Sequence, residues 1–196
     1  MTGFLEPPDH TEEAQRLYDD DLAELGYVMN ASRLWAYQPG THEALFALIR
    51  GAGAGQALTQ RERGILVAAT ASAMRDSYCS LVWGARLAAA SDERTASGVL
   101  RGDDDALSPA ERALARWART VARDPNATRA ADVQALRDNG YRDEQIFAIT
   151  VFVALRVAFS TVNDALGARP DAAHRTTTPP AVLGAVTYGR PIEDDA

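Results

Sequence analysis

Four residues in one short stretch carry most of the chemistry this sequence could perform: Asp76, Cys79, Trp83 and Arg86. Their spacing of i, i+3, i+7 and i+10 lays them along one stripe of a helix, where they share an environment. Asp76 is a candidate general acid or base. It is also a candidate N-cap, because Asp just before an apolar-periodic helix accepts hydrogen bonds from the first-turn N–H groups, and a carboxylate held that way is a weaker base. Cys79 is the single cysteine. The helix N-terminus favours its thiolate and a neighbouring Asp76 opposes it, so it reads either as a nucleophile or as a small packed residue. Trp83 offers a flat apolar wall whose only donor is the indole N–H. Arg86 could hold a carboxylate-bearing substrate bidentately, or pair with an acid across an interface. Tyr78 lies on the adjacent stripe with Leu81, Val82, Ala85 and Ala89, as a substrate contact or as core. Tyr27, Trp35 and Tyr37 are further candidate walls that could equally be core. Of His10, His42 and His174, only His42 falls inside the helical body.

Composition removes several alternatives. The 20 basic residues are all Arg, which excludes a Schiff-base lysine, a pyridoxal-phosphate anchor and a P-loop lysine. A net charge of −7 with scattered Arg offers no basic stripe for a phosphate backbone, so no nucleic-acid partner is expected. Three dispersed His and one Cys give no metal-ligand pair, the acidic run at 103–105 reads as a solvated turn, and no Gly-rich turn follows a strand; no cofactor is expected. The N-terminus lacks a basic region followed by an apolar core, and one cysteine cannot close an intramolecular disulfide, which points to a cytoplasmic protein. The most apolar stretch, 146–162, is broken by Thr150, Arg156, Ser160 and Thr161 and is shorter than the ~20 residues that cross a bilayer, so no membrane partner is expected.

The elements that must position the stripe are helices. Apolar residues recur with helical period nearly everywhere, and no alternating β-branched run is bounded by turn residues, so the fold class is all-α with eight or nine helices in a single domain over 1–196. Thr11 caps a first helix with Glu12 and Glu13 in its first turn, ending near Leu25 before Gly26. A second spans 30–35. Pro39 opens a third, stopped by the glycines of 51–55. Thr59 caps a fourth, 76–90 forms a fifth, and Ser91, Ser108, Asn126 and Asp143 mark later starts. The helix from Asp143 to about Leu166 is apolar around most of its girth, which implies a central position, a subunit interface or both, and a homo-oligomer is expected. Residues 1–10 read as a tail, and 168–196, with Pro170, Pro179 and Pro180, as an extended tail.

The segment LTQRERGILVAATASAMRDSYCSLVWGARLA, from Leu58 to Ala88, resembles the signature helix pair of the alkylhydroperoxidase D and carboxymuconolactone decarboxylase family. The resemblance extends through NASRLWAYQPGTHEALFALIRG upstream and through ALSPAERALARWARTVARDP, GYRDEQIFAITVFVAL and NDALGARPD downstream. It implies an AhpD-like helical fold. It also implies where peroxidase members carry their reactive groups: Gly64 stands where they have a glutamate, Asp76 at the first cysteine of a CxxC pair, Cys79 at the second, and Trp83 at a histidine. Only the cysteine at 79 matches. Glu62 is two residues from Gly64, about 200° round a helix, and cannot replace it.

Peroxide reduction by a dithiol needs an attacking thiolate and a resolving thiol, and this chain has one thiol. Three functions stay open. The first is an enzyme acting on a small metabolite by acid/base chemistry without a cofactor, of decarboxylase, isomerase or cyclase type, with Asp76 moving the proton, Arg86 holding an anion and Trp83 and Tyr78 lining the pocket. The second is a residual single-thiol peroxidase in which Cys79 cycles through a sulfenic acid. The third is a non-catalytic form of the fold that binds a ligand or partner.

Overall fold

The computed structural model describes residues 3–54 and 58–194. Among them are eleven α-helices and one 3₁₀ turn, Pro125–Ala127, with no strand. The helices are α1 (Glu12–Leu25), α2 (Asn30–Trp35), α3 (Pro39–Ala54), α4 (Gln60–Met74), α5 (Ser77–Ala90), α6 (Glu93–Arg101), α7 (Pro109–Arg123), α8 (Ala130–Asp138), α9 (Asp143–Ala165), α10 (His174–Thr177) and α11 (Pro180–Ala185). The count exceeds the expected eight or nine because the segment after Gly167 folds into two short helices instead of lying extended. Pro180 starts α11, where its missing N–H costs nothing.

Local rules place most boundaries. Thr11 caps α1 by accepting from the Ala14 N–H at 3.1 Å, and Gly26 ends it with φ 81°. Reciprocal capping boxes open α4 through Thr59 and Glu62 and α7 through Ser108 and Glu111. Two expected starts move. Ser91 closes α5 while Asp92 caps α6, and Asn126 sits in the 3₁₀ turn while α8 begins at Ala130. In each case a neighbouring Asp, 92 or 124, takes the capping hydrogen bonds. The stop in α3 also moves: the helix runs through Gly51 and Gly53 to Ala54, and Gly55 lies outside the described residues.

Helix α4 is the axis of the molecule, with every residue from Gly64 to Ala71 buried against α5, α6, α7 and α9. The main core gathers Ile65, Leu66 and Val67 with Leu87, Val99, Leu114, Leu136, Ile149, Val153 and Val182. A smaller core beside it holds Ala31, Leu34, Trp35, Ala71, Tyr78, Cys79, Phe159 and Ala168. Helix α9 is 23 residues long, so by length and composition it could cross a bilayer, contrary to the reading of its apolar run as too short. What marks it as a core helix is its packing against α3, α4, α7 and α8, with Ile149, Phe152, Val153 and Arg156 buried. Its outer face stays bare: Phe147 is 73% exposed, followed by exposed Ala154, Ala158, Thr161 and Ala165.

Gly64, at the position of the family's glutamate, lets α4 and α5 close on each other. A Cβ there would lie 3.1 Å from Leu87 Cβ and Cδ1 and 3.3 Å from its Cα. A glutamate would have to displace Leu87, which is fully buried, and would place a carboxylate in the main core. Gly64→Glu should therefore destabilise by roughly 3 kcal/mol or more, lowering Tm by some 6–12 °C for a chain of this size. A melting curve within a degree or two of the parent's would show that α5 can move aside.

Candidate functional site

Asp76 is the N-cap of α5, as its sequence position allows. Its Oδ1 accepts the Cys79 backbone N–H at 2.9 Å, and the side chain is wholly buried. Its second oxygen, Oδ2, is buried with no hydrogen-bond partner. The Cys79 thiol lies close enough to this carboxylate to feel its charge. Two groups from α9 also reach the sulfur: Ser160 Oγ at 3.7 Å and Arg156 Nη2 at 3.9 Å. Burial, then the Asp76 charge, push the thiol well above its ordinary range, and Arg156 opposes them. Cys79 is therefore a protonated thiol at rest.

Arg156 is the residue that the sequence reading did not assign. It is 4% exposed, its Nε has no partner, and its guanidinium lies 5.1 Å from the Trp83 ring centroid and 5.5 Å from that of Phe159. Burial pulls it below the usual guanidinium range, while Cys79 and Asp76 support its charge. A buried cation costs several kcal/mol unless an anion and hydrogen bonds compensate it, and Asp76 is the carboxylate that acts on it here. The cluster thus carries one positive charge, one carboxylate and one proton on sulfur. The signal was present in the sequence as the single charge interrupting the apolar run 146–162.

The remaining members of the stripe divide. Trp83 stays at the site, under Arg156. Arg86 also lies over the Trp83 ring, at 5.0 Å, but its side chain is 54% exposed and pairs with Glu24 of α1 at 3.7 Å. Tyr78 belongs to a different network. Its hydroxyl donates to Asp171, whose other oxygen accepts the Asn30 N–H at 2.7 Å, so this tyrosine ties α5 to α2 and to the segment after α9. Trp35 stacks on Phe159 at 5.5 Å and donates to Asn163 Oδ1 at 2.9 Å. His42 packs on Phe46 and Trp35, and burial together with Arg50 lowers it to about 4, so it is neutral at pH 7. Tyr37 is exposed and donates to the Glu6 carbonyl at 2.5 Å, and Tyr27 is half-buried. Among the described residues no group of three His, Cys, Asp or Glu is placed to hold a metal ion, and in the acidic turn Asp104 pairs with Arg119 at 2.7 Å.

The C-terminal segment lies across the start of α5. Gly189, with φ 73°, crosses the start of α5 so closely that a Cβ would sit 2.6 Å from the Arg75 carbonyl oxygen and 2.8 Å from Ser77 N. Ser77 Oγ donates to the Arg190 carbonyl at 2.7 Å, and the Tyr188 hydroxyl donates to Ser80 Oγ at 3.0 Å. Arg190 Nη2 reaches the Asp164 carbonyl at 2.9 Å.

The carboxyl of Asp164 is pushed up from 3.8 to about 7 by burial first and by Asp76 second, against Arg190. Between those pH values the folded chain keeps a proton that the unfolded chain has released, so stability falls as pH rises through the window. Asp164→Asn removes that penalty. Its gain in Tm over the parent should be larger at pH 8 than at pH 5, and an equal gain at both would mean that Asp164 ionises as an ordinary carboxylate.

No protein-family model and no curated protein sequence matches the chain. Solved structures do. An alkylhydroperoxidase AhpD core, a peroxidase-related protein from Ralstonia eutropha JMP134, superposes with a TM-score of 0.73 at 23% identity, over 89% of this chain and 95% of that one. A peroxidase-related protein from Silicibacter sp. TM1040 gives 0.78 at 21% identity, over 89% and 95%. The debrominase Bmp8, as a cysteine-to-alanine variant in complex with 2,3,4-tribromopyrrole, gives 0.72 at 18% identity, over 93% and 97%. At these identities the likeness is one of fold, and it spans nearly the whole of both chains: this protein has the alkylhydroperoxidase D-like fold.

Proposed function

We propose that this protein is a single-thiol enzyme acting on a small electrophile, with Cys79 as nucleophile, Asp76 as its base and Arg156 as the fixed positive charge. The observation that carries the reading is the buried Arg156 guanidinium 3.9 Å from the Cys79 sulfur, with the Asp76 carboxylate near enough to act on both. A thiol in so apolar a place does not ionise to solvent, but passing its proton to Asp76 leaves the charge of the cluster unchanged. The thiolate formed meets a cation already in position, so no reorganisation cost arises when charge develops on sulfur. With a hydroperoxide, the sulfur takes the terminal oxygen, the O–O bond breaks, and the leaving alkoxide takes the proton from Asp76, giving Cys79 sulfenic acid and an alcohol. Two equivalents of an external thiol return the sulfenic acid to the thiol, releasing water and a disulfide. Trp83 and Phe159 lie against the Arg156 guanidinium and neutral His42 packs behind Phe159, an apolar setting that suits an uncharged substrate. The peroxidase-related and debrominase neighbours, one of them a cysteine variant holding a brominated pyrrole, support small-molecule chemistry on this fold.

Treatment with equimolar hydrogen peroxide in the presence of dimedone, followed by mass spectrometry, tests this. Wild type should form the Cys79 adduct under native conditions, and Asp76→Asn should form it on the order of 10²-fold more slowly, the usual effect of losing a general base. A native thiol that stays unmodified, yet reacts once unfolded, would overturn the reading. The unpartnered Asp76 Oδ2 favours one second reading, acid/base decarboxylation, isomerisation or cyclisation by Asp76 alone. On an identified substrate that enzyme survives Cys79→Ser and dies with Asp76→Asn, whereas the thiol enzyme loses both.

We also propose that a second copy of the chain covers the bare face of α3 and α9. Phe147 and Leu48 are 73% and 60% exposed, with Ala44, Ala47, Ala154 and Ala158 also exposed, and large exposed apolar side chains on two packed helices favour an interface. Light scattering coupled to size exclusion should give an oligomer that Phe147→Asp combined with Leu48→Asp converts to monomer. A monomeric wild type at tens of micromolar would remove the proposal.

A further inference from the structure

Cys79 is 3% exposed, so an electrophile reaches it only if a neighbouring side chain moves. Trp83 is placed to be that side chain. It stands one turn along α5 from the thiol, where the two cores meet, and packs against both while staying half-buried. Two guanidinium groups lie over its ring. The inner one is Arg156, 5.1 Å from the ring centroid and 3.9 Å from the Cys79 sulfur. The outer one is Arg86, 5.0 Å from the centroid, with its side chain more than half exposed. The indole thus spans the interval between the buried cation at the sulfur and the solvent.

The three tryptophans differ in how they are held. Trp35 donates its indole N–H to Asn163 Oδ1 at 2.9 Å and Trp117 donates to Thr150 Oγ1 at 3.1 Å, whereas the Trp83 N–H makes no hydrogen bond among the described residues. The outer contact on its ring, Arg86, is tied only to Glu24 of α1, by an exposed ion pair at 3.7 Å, and an exposed pair of this kind contributes little. When the ring swings outward, Arg156 keeps Phe159, Cys79 and Asp76 as neighbours, so the buried cation stays compensated. We infer that the Trp83 indole is the movable wall through which a substrate reaches Cys79, clasped from outside by Arg86 and Glu24, and that it restricts the electrophile to a small one. The restriction follows from close packing: the further the indole must be pushed aside between two filled cores, the higher the barrier. As a statement about substrates, this rests on the thiol-enzyme reading above.

Methyl and benzyl methanethiosulfonate carry one reacting group on a small and a bulky body. Cys79 is the single cysteine, so mixed-disulfide formation read by intact-mass spectrometry reports access to it, and the ratio of the two rates cancels the thiol's own reactivity. The parent should label faster with the methyl reagent, and Trp83→Ala should raise the benzyl-to-methyl ratio by about tenfold or more, the scale on which a pocket wall sorts substrates by size. Because Trp83→Ala empties volume in two cores, its fold is checked by a melting curve. Arg86→Ala, an exposed substitution that leaves the ring in place, should raise the same ratio roughly two- to fivefold, the weight of one cation–π contact. A parent without preference for the methyl reagent, a ratio unchanged in Arg86→Ala, a folded Trp83→Ala with the parent's ratio, or a thiol that neither reagent reaches in either variant would each overturn the proposal. No peroxide enters this measurement, so its outcome is separable from the dimedone result: a native Cys79 inert to peroxide would remove the thiol chemistry and leave the entrance standing.

Discussion

The site depends on how a guanidinium is kept inside a helical core. Arg156 enters from the middle of the most apolar helix and is held by sulfur, a carboxylate and two aromatic rings in place of a conventional bidentate partner. An isolated buried charge would move to solvent or unfold the region. Its retention constrains its neighbours: the Asp76 side chain must stay beside it, Trp83 must present its ring, and α5 must meet α9 at this height. The N-cap at Asp76 does part of this work cheaply, because one carboxylate oxygen secures the helix start while the other is left free for the thiol.

The fold accommodates this cluster by keeping its polar residues in the smaller of two cores. The main core around α4 is largely aliphatic, with Trp117, Tyr141 and Phe152 at three places in it. The smaller one is aromatic and mixed, with Trp35, Tyr78, Phe159 and Cys79. Rings with a polar edge or a negative face can neighbour a cation that an aliphatic wall would reject. The division explains why α4 and α5 approach through Gly64 on one side while the same α5 carries a thiol and a carboxylate on the other.

Features set by neighbours in sequence were legible before the structure. Thr11, Thr59, Ser108 and Asp76 each accept from a backbone N–H three residues on, and the helical period marked α4, α7 and α9. The fold class and the family likeness followed from the same local patterns. The site was half legible: the Asp76 and Cys79 spacing is local, whereas Arg156 and Ser160 are 77 and 81 residues away from Cys79 in the chain, and nothing short-range couples them. Arg156 showed only as an oddity in an apolar run. Arg86 and Tyr78 share the helix with Cys79 but are drawn elsewhere by Glu24 and Asp171, because a helical stripe of ten residues spans about 15 Å and meets different neighbours along its length. The tail read as extended because its prolines suggested no helix, yet Pro180 serves as a helix start.

The contact of Gly189 with the backbone at Arg75 and Ser77 has a consequence for biosynthesis. A ribosome makes the start of α5 just over a hundred residues before the segment that lies across it. During that interval, some seconds at ordinary elongation rates, the start of α5 has no cover. The start of α5 is therefore covered late, and this becomes one of the last events of folding, a long-range contact made after local helices are in place.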